Sequence, residues 1–362
     1  MNIDLLRQKI QEFIADSEKE PDRFSQDAKE RQDIIAHYRL LTTETILNMT
    51  EDDIYQYLSK LWAMSAWGNK HYRIDKIITD NGLENLKRNL AQLLWAEADI
   101  AERWDSFRSK IKGMGPAMAS EILCKTRPDE FMIWNRRALV ALDYLGVKRL
   151  PRYDYQVTGK VYKYLCEVCK QIGEELAKAG FADTNLLSVD YFLWDKLQAE
   201  DTLAGICGTK SKKPEGPKPE SPQEAVFIHN EIRDKLSEIG QWLGFTTNIE
   251  HNVADGARVD TLWEATIGNI GRVIYVFEVQ TGGTIDSLLM NLLKCLNNSA
   301  VQGVVAVSDQ KQLDRIKREV LGVKDLRDKL RYWDYEEVIK IHEALGYVNA
   351  RINNLRLVPE GF

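Results

Sequence analysis

Apolar residues recur at helical spacing through roughly the first 200 residues of the chain. Their large side chains stand three and four residues apart, the spacing that places them on one face of a helix. The clearest segments are IDLLRQKIQEFI (3–14), IYQYLSKLWAM (54–64), LENLKRNLAQLLW (83–95), VYKYLCEVCKQIGEEL (161–176) and VDYFLWDKLQ (189–198). The pattern therefore predicts an all-α region over residues 1–207.

The pattern changes to that of β-strands in ARVDTLWEATIGNIGRVIYVFEVQTGG (257–283). Strands are predicted over 258–266 and 272–280, and the second contains VIYVFEV, a run rich in β-branched and aromatic residues. Glycines and an asparagine between the strands supply a turn. The surrounding patterns predict helices over 224–243, 285–296 and from 310, and a strand over 304–308. The second half of the chain is therefore predicted to be an α/β domain over residues 223–362.

The segment GTKSKKPEGPKPESP (208–222) separates these two regions. It has four prolines, four lysines and no large apolar residue, a composition typical of an extended interdomain linker. Beyond it, the C-terminal end is predicted to add a helix over 335–345 and a strand or tail over 350–358. The pattern assigns no function to residues 325–362.

The overall composition is that of a soluble globular protein, with 44% apolar and 29% charged residues. No stretch approaches the ~20 apolar residues of a membrane span, and the N-terminus lacks a signal-peptide pattern. The five cysteines have no metal-site or disulfide spacing, and the CxxC at 166–169 lies in a helical pattern. We therefore expect reduced cysteines, a cytoplasmic location and no membrane partner.

The net charge of −6 hides a basic segment. Residues 103–163 contain thirteen Lys and Arg against six Asp and Glu. A basic segment in an acidic chain is a candidate surface for nucleic acid, because local charge matters more than the sum.

Two acidic residues fall on the neighbouring predicted strands. Because side chains alternate along a strand, Glu278 and Gln280 share a face with apolar residues of the same strand. Asp260 lies on the preceding strand. One carboxylate from each of two paired strands suits Mg²⁺, which prefers oxygen ligands. The alternative is a pair of half-exposed residues on a solvated face, but Glu278 follows an apolar run in which an unpaired charge would be costly.

The order of elements over residues 222–320 resembles the PD-(D/E)xK nuclease superfamily, which includes many restriction endonucleases. The resemblance rests on a helix, the strand with Asp260, the triplet Glu278-Val279-Gln280, and a further helix and strand. It implies a restriction-endonuclease-like fold in which Asp260 and Glu278 bind Mg²⁺, with Mn²⁺ as a substitute ion. It also implies that Glu231, on the first helix, assists catalysis.

The chain departs from that family at Gln280, where lysine is usual. Glutamine can position a water molecule, but it cannot act as a base or neutralise a developing anion. Lys294, on the following helix, is a candidate for the displaced positive charge.

The segment KIKGMGPAMASEIL (110–123) predicts a helix, a glycine turn and a second helix. Glycines allow close approach and positive φ, and proline suits a first helical position. The exposed amides at the start of the second helix form an anion site that fits a DNA phosphate. The segment resembles a helix-hairpin-helix, although an ordinary αα-corner is the alternative. The expected DNA contacts are Lys112, Gly113, Gly115 and Ala117.

The following segment, DEFMIWNRRALVALDYLG (129–146), resembles the part of helix-hairpin-helix DNA glycosylases that follows the hairpin. By that resemblance Asn135 stands at the catalytic Asp, and Ala117 stands at the catalytic Lys. Neither can perform the base-excision chemistry. The region is therefore expected to bind DNA without excising bases, with Arg136 and Arg137 available for phosphate or base contacts.

The stretch WGNKHY (67–72) combines aromatic, basic and glycine residues. One interpretation is a packed interhelical loop. The other is a DNA-contact loop in which Trp67 stacks on a base and Lys70 pairs with a phosphate.

Together these patterns predict an Mg²⁺-dependent DNA endonuclease of the restriction or antiviral-defence type. Its partner is double-stranded DNA, and its helical region reads a modified or flipped base. Cutting both strands implies a homodimer. Two alternatives remain open, a DNA glycosylase or lyase acting on damaged bases, and a non-catalytic DNA-binding module, which the departure at Gln280 favours.

Overall fold

The computed structural model describes residues 1–65, 67, 70–181, 183–197, 222–267, 271–282 and 284–355. The chain divides into two compact units, the first within residues 1–210 and the second within residues 211–357. Most of the predicted linker, residues 208–221, lies outside the described residues.

The described residues of the first unit form helices, as the hydrophobic periodicity predicts. Short 3₁₀ turns lie at Trp62–Met64 and Asp154–Gln156. The helices are α1 (Ile3–Lys19), α2 (Pro21–Tyr38), α3 (Thr43–Leu47), α4 (Glu51–Leu58), α5 (Lys70–Asn81), α6 (Leu83–Trp95), α7 (Ile100–Lys110), α8 (Pro116–Thr126), α9 (Arg136–Tyr144), α10 (Gly159–Lys178) and α11 (Leu186–Leu197).

Local sequence sets several of these helix boundaries, and buried aromatic residues hold the helices together. Thr50 and Asp53 form a reciprocal capping box at the start of α4. Pro116 begins α8 immediately after the glycine turn. Trp104 of α7 stacks on Tyr162 of α10 with ring centroids 3.9 Å apart, and both rings are fully buried. Such large buried rings contribute much of the apolar area that stabilises a core.

The second unit contains a five-stranded mixed sheet whose strands lie side by side in chain order. The first three strands pair antiparallel, and the last two run parallel to the third. The strands are β1 (Thr246–Ala254), β2 (Ala257–Ile267), β3 (Gly271–Val279), β4 (Val301–Ser308) and β5 (Leu330–Asp334). The α/β prediction for this part of the chain is confirmed at this level.

Helices pack against the sheet through apolar side chains. They are α12 (Pro222–Trp242), α13 (Ile285–Cys295), α14 (Gln310–Val320), α15 (Lys324–Arg327) and α16 (Tyr335–Asn354). Leu288 and Leu292 of α13 join Val276 of β3 in one buried cluster. The helix α12 packs on β2, where the Trp263 indole donates to the Leu236 carbonyl at 2.8 Å.

The C-terminal end differs from the prediction at two points. The strand β5 was not predicted, although Leu330 is buried and pairs with Val304 of β4. A strand or tail was expected from residue 350, but α16 continues to Asn354. Contacts with α12 hold the long helix, since His342 bonds Glu238 at 2.6 Å and Gly346 packs against the Trp242 ring. Residues 356–362 lie outside the described residues.

Part of the basic segment is used to hold the first unit together. Arg103 donates to the Leu93 and Leu94 carbonyls, and Arg127 forms a bidentate pair with Glu130. The excess charge counted from the sequence therefore overstates what faces solvent. The exposed cations of this segment include Lys110, Lys112, Arg136, Arg137, Lys148, Arg149, Arg152 and Lys160.

Cys124, Cys166, Cys169 and Cys295 are buried free thiols. Across the part of the chain that is described, we find no helix with the length and apolar character needed to cross a membrane.

Candidate active site at the ends of two strands

The antiparallel pairing of β2 and β3 brings the two predicted carboxylates together. Thr261 pairs with Phe277, so Asp260 stands opposite Glu278, one position further along the ladder. Directly opposite residues share a face of the sheet. The two carboxyl groups hydrogen-bond to each other. The juxtaposition expected from side-chain alternation is therefore present.

Asp260 is held from two further directions. Its Oδ2 accepts a hydrogen bond from the backbone N–H of Val279 at 2.7 Å. Its Oδ1 lies 3.1 Å from Nε2 of His229 on α12. Although burial opposes ionisation, the hydrogen bond and charge of His229 and the Val279 amide lower the pKa of Asp260 below its ordinary value. Asp260 is thus an ionised, oriented carboxylate.

Glu278 is held by Asn291 of α13. The Asn291 amide donates to Glu278 Oε1 and, at 2.6 Å, to the Arg258 carbonyl. Burial, the negative charge of Asp260 and their mutual hydrogen bond raise the pKa of Glu278 to about 9. At neutral pH the metal-free pair therefore shares one proton, with Glu278 neutral and Asp260 charged.

The raised pKa of Glu278 predicts how the stability of the metal-free protein depends on pH. The ordinary pKa of Glu278 is 4.5 and the folded value is about 9, so the folded state binds more protons between these values. The stabilisation is complete below the unfolded pKa and is lost as pH rises through the folded pKa. We expect the thermal stability of the second unit in a chelator to fall between about pH 4.5 and pH 9.

The Glu278→Gln variant isolates this effect, because glutamine mimics the neutral form and does not titrate. The difference in unfolding temperature between wild type and variant should change with pH in that window. A constant difference would contradict the proton-sharing arrangement. Asp260 titrates below the window because its pKa is lowered. His229 titrates within the window, since its bond with Asp260 raises its pKa against the effect of burial, but it is present in both proteins. The change in the difference therefore reports Glu278.

Glu278 opens onto a cavity of about 400 Å³ at this edge of the sheet. Its walls include Gln280 and three polar residues of α13, namely Ser287, Asn291 and Lys294. Those three recur at i, i+4 and i+7, so they form one polar row beside the buried apolar face of the helix. Lys294 Nζ lies 3.4 Å from the Gly256 carbonyl. The helix thus brings a positive charge to the cavity wall shared with Glu278.

Gln280 lies just after β3, and its side chain is 8% exposed. Its Nε2 donates to the Gly282 carbonyl. Its backbone carbonyl accepts from the hydroxyls of Ser308 and Tyr335. These bonds fix the position of Gln280 on the cavity wall and leave its amide oxygen as the group with which it can orient a water molecule.

The donor set suits a hard cation with few protein ligands. Among the described residues, no group of three or more His, Cys, Asp and Glu is placed to hold a metal. Mg²⁺ commonly uses one or two carboxylates together with water and substrate phosphate. Asp260 and Glu278 fit that requirement, because the two carboxylates are adjacent and share a proton at the position that a cation would occupy.

The residue of α12 that contacts Asp260 is His229. Glu231 instead lies 3.6 Å from Lys235, one turn further along the same helix. Residues two apart on a helix differ by about 200° in direction, so the two side chains point to nearly opposite sides. His229 and Asn291 were missed by the sequence reasoning. The polar row on α13 was a usable signal for Asn291, whereas a single histidine on α12 offered none.

Asn291 is expected to position Glu278 for metal binding. Replacing Asn291 by alanine should weaken Mg²⁺ affinity by about 10- to 100-fold, the usual effect of removing a partner of a metal ligand. Isothermal titration with Mg²⁺ or Mn²⁺ measures this directly. Ser287→Ala, on the same cavity wall, is the matched control and should leave the affinity unchanged. Equal affinity in Asn291→Ala and wild type would contradict this role.

In the first unit, the glycine turn joins α7 to α8. Gly113 has φ of +79°, so the first glycine is required by the backbone, whereas Gly115 has φ of −71°. A Cβ at Gly115 would stand 3.7 Å from Asp154 Oδ2 and 3.9 Å from an Arg108 guanidinium nitrogen. The anion site expected at the start of α8 therefore has an acidic and a basic neighbour.

The other expected DNA-contact residues near the hairpin differ in accessibility. Lys112 is exposed, and its backbone N–H donates to Asn81 at 2.8 Å. Ala117 is half-buried in the first turn of α8. Asn135 caps α9, since its side-chain oxygen accepts from the Ala138 N–H at 3.0 Å. Arg136 and Arg137 follow it on the exposed first turn.

The Trp67 ring is packed inside the protein and is not exposed for stacking on a base. Its ring is 8% exposed and lies under the Arg73 guanidinium, 4.8 Å from centroid to Cζ. Lys70 begins α5 and donates to the Ser59 carbonyl at 2.9 Å. This arrangement favours the packed-loop interpretation over base stacking by Trp67. Gly68 and Asn69 lie outside the described residues.

The chain was compared with protein-family models and with curated proteins. No family model matches it, and no curated protein matches it.

Proposed function

We propose that the chain is an Mg²⁺-dependent deoxyribonuclease with its active site on the second unit. The observation that carries the proposal is the pair of buried carboxylates, Asp260 and Glu278, hydrogen-bonded at adjacent strand ends beside an open cavity. Burying two carboxyl groups side by side is unfavourable for folding, and such pairs cluster at functional sites. The resemblance of the element order to PD-(D/E)xK nucleases supports the same assignment.

The residues of the site have separable tasks. Asp260 and Glu278 would hold the ion, and His229 and Asn291 would orient these two carboxylates. A bound Mg²⁺ would supply Lewis-acid polarisation of the phosphate and a more acidic water. Gln280 would orient the attacking water from the cavity wall. Lys294 would stabilise negative charge on the phosphate, which Gln280 cannot do.

The first unit would bind the duplex. The hairpin between α7 and α8, together with the exposed Lys112, Arg136 and Arg137, offers backbone amides and cations for phosphates. Because Asn135 and Ala117 replace ionisable residues, the unit would recognise DNA without excising a base. We propose a restriction or antiviral-defence role and a homodimer that cuts both strands, both by resemblance to restriction endonucleases.

The deciding experiment is cleavage of supercoiled plasmid by the full chain in Mg²⁺, Mn²⁺, Ca²⁺ and a chelator. Unmodified DNA and cytosine-modified DNA are run side by side. Nicking or linearisation that needs Mg²⁺ or Mn²⁺ supports the proposal. Binding without cleavage in either ion would overturn it in favour of a non-catalytic module, and release of free bases would favour a glycosylase.

Lys294 is expected to act on the chemical step rather than on metal binding. Lys294→Ala should lower the cleavage rate by about 100- to 1,000-fold, the usual cost of losing one group that stabilises developing charge. Its Mg²⁺ affinity should stay within about twofold of wild type, because the side chain holds neither carboxylate. Single-turnover cleavage and metal titration separate the two.

A second change sharpens the test of Lys294. Restoring the usual family lysine in the double variant Gln280→Lys with Lys294→Ala should recover part of the lost rate. Lys311→Ala, on α14, is the matched control. A Lys294→Ala enzyme as fast as wild type would remove Lys294 from the proposed mechanism.

A further inference from the structure

Trp62 of the first unit is exposed and yet firmly held. It begins the 3₁₀ turn Trp62–Met64 between α4 and α5, and it is 41% exposed, whereas Met64 is fully buried. The part of an apolar ring that stays exposed to water does not stabilise the folded state.

Two buried charged residues of α8 fix the backbone on either side of Trp62. The Glu121 carboxylate accepts from the N–H groups of Trp62 at 2.5 Å and Ala63 at 2.9 Å. Lys125 Nζ donates to the Lys60 carbonyl at 3.2 Å and lies 2.6 Å from Glu121 Oε1. Both side chains are almost completely buried. We call the buried pair Glu121–Lys125 the clamp. Removing two charges from water is unfavourable, and here it serves to hold a turn at the surface.

The clamp also sets the orientation of the indole ring. Lys125 Nζ lies 4.3 Å from the ring centroid. One face of the ring therefore lies over a buried cation, and its exposure comes from the opposite face and the edges. The result is a flat aromatic surface with a fixed orientation, which a planar ligand can cover at little cost in conformational entropy.

The chemistry around Trp62 suits a planar ligand attached to a polyanion. Residues 54–74 contain three cations, Lys60, Lys70 and Arg73, and no carboxylate. Lys60 is exposed, whereas Lys70 and Arg73 are half-buried and donate to the Ser59 and Gly113 carbonyls. Aromatic side chains interleaved with basic ones are the usual composition of a surface that stacks nucleobases while attracting phosphates.

The same helix carries the glycine hairpin. Glu121 lies five residues after Pro116, which corresponds to about 7.5 Å along α8. Arg73 of α5 donates to the Gly113 carbonyl of the turn at 3.1 Å. Trp62 and the proposed phosphate site are thus both fixed by contacts to α8 and to the turn that precedes it.

We propose that Trp62 stacks on an unpaired nucleobase of the DNA held by the first unit. The inference rests on the proposed function for its partner, DNA, and adds the residue and the structural class of DNA that it recognises. A base inside an intact duplex has no free face, so the contact requires a mismatch, an abasic gap or a base turned out of the stack.

The test uses the full chain in a chelator, so that no DNA is cut. One duplex carries a central 2-aminopurine opposite an abasic site, and its partner is fully paired. Dissociation constants come from fluorescence anisotropy, and stacking comes from quenching of 2-aminopurine. Wild type should prefer the interrupted duplex and quench its fluorescence. Trp62→Ala should lose about five- to 150-fold of affinity for that duplex, while Trp62→Phe retains most of it.

Two other exposed tryptophans provide matched controls. Trp95 and Trp194 are 38% and 45% exposed, and each has a carboxylate close by in the sequence, Glu97 and Asp195. Their alanine variants should behave as wild type. Equal preference and quenching in Trp62→Ala and wild type would overturn the inference, as would a wild type that shows no preference for the interrupted duplex.

Failure of this inference is distinguishable from failure of the proposed function. Binding of paired DNA and Mg²⁺-dependent cleavage do not require Trp62. If those persist while Trp62→Ala has no effect, only the stacking role is lost. If wild type binds neither duplex, both proposals fall together.

Discussion

Replacing Glu278 by glutamine is expected to reduce Mg²⁺-dependent DNA cleavage by about a thousandfold or more. That loss corresponds to roughly 4 kcal/mol in the activation free energy. The reason is that glutamine keeps the size of the neutral glutamic acid but cannot become the negative ligand that a divalent cation needs. The rate is measured as single-turnover conversion of supercoiled plasmid.

The fold should survive this change, because the neutral form is the one present in the metal-free protein. The pKa of Glu278 is about 9, so glutamine can donate to Asp260 and accept from Asn291 much as the protonated acid does. Unfolding temperature at neutral pH should therefore equal or exceed that of wild type, because the variant does not lose the stability that wild type loses as Glu278 ionises in the unfolded state. An inactive variant with an intact fold assigns the loss to the site.

Glu264→Gln is the matched control for Glu278→Gln. Glu264 lies on β2 and pairs with the exposed Arg272. Removing such a surface ion pair lowers the free energy of unfolding by at most about 1 kcal/mol. The cleavage rate of Glu264→Gln should therefore equal that of wild type. Cleavage by Glu278→Gln at the wild-type rate would contradict the nuclease site, as would a comparable loss in Glu264→Gln.

Replacing Lys125 by alanine is expected to destabilise the first unit by about 3–5 kcal/mol. Lys125 is 1% exposed and is the cation that compensates the buried Glu121 carboxylate. Removing it leaves that charge with two backbone amides and no positive partner. For a unit of this size, the unfolding temperature should fall by roughly 2–4 °C for each kcal/mol. Differential scanning calorimetry of the full chain would show the shift.

Lys178→Ala is the appropriate comparison for Lys125→Ala. Lys178 also pairs with a glutamate on its own helix, Glu175, but its side chain is 65% exposed. Exposed pairs of this kind contribute about 0–1 kcal/mol, so the unfolding temperature should hardly move. If both lysine variants unfold at the same temperature as wild type, the clamp beneath Trp62 does not contribute the stability inferred for it.

Two predicted strands lie close to those observed. The expected bounds 258–266 and 272–280 differ from β2 and β3 by one residue at each end. Asp260 and Glu278 were expected on two paired strands that end near each other, and alternation placed Glu278 and Gln280 on one face. The register that sets Asp260 opposite Glu278 comes from the structure. The glycine turn before α8 was predictable for the same local reason, since Gly113 adopts positive φ.

Residues brought in from distant segments could not be predicted in this way. His229 of α12 contacts Asp260, which lies 31 residues later in the chain. Asn291 of α13 contacts Glu278, which lies 13 residues earlier. Nothing in the local pattern states which face of α12 points at the strand ends. Gln280 and Lys294 could be named as candidates, but only the packing of α13 shows that both border one cavity.

Local sequence therefore determined the helical character of the first unit, the strands β2, β3 and β4 of the second, and the placement of Asp260 and Glu278 on neighbouring strands, because these depend on backbone periodicity and turn chemistry. Tertiary packing alone decided which partners hold those carboxylates. It made Glu278 neutral through burial and the charge of Asp260, and it kept Asp260 charged through His229 and the Val279 amide. It also buried Trp67 and left Trp62 exposed on its clamp. The physical reason is that desolvation and contact between distant segments exist only once the chain has folded.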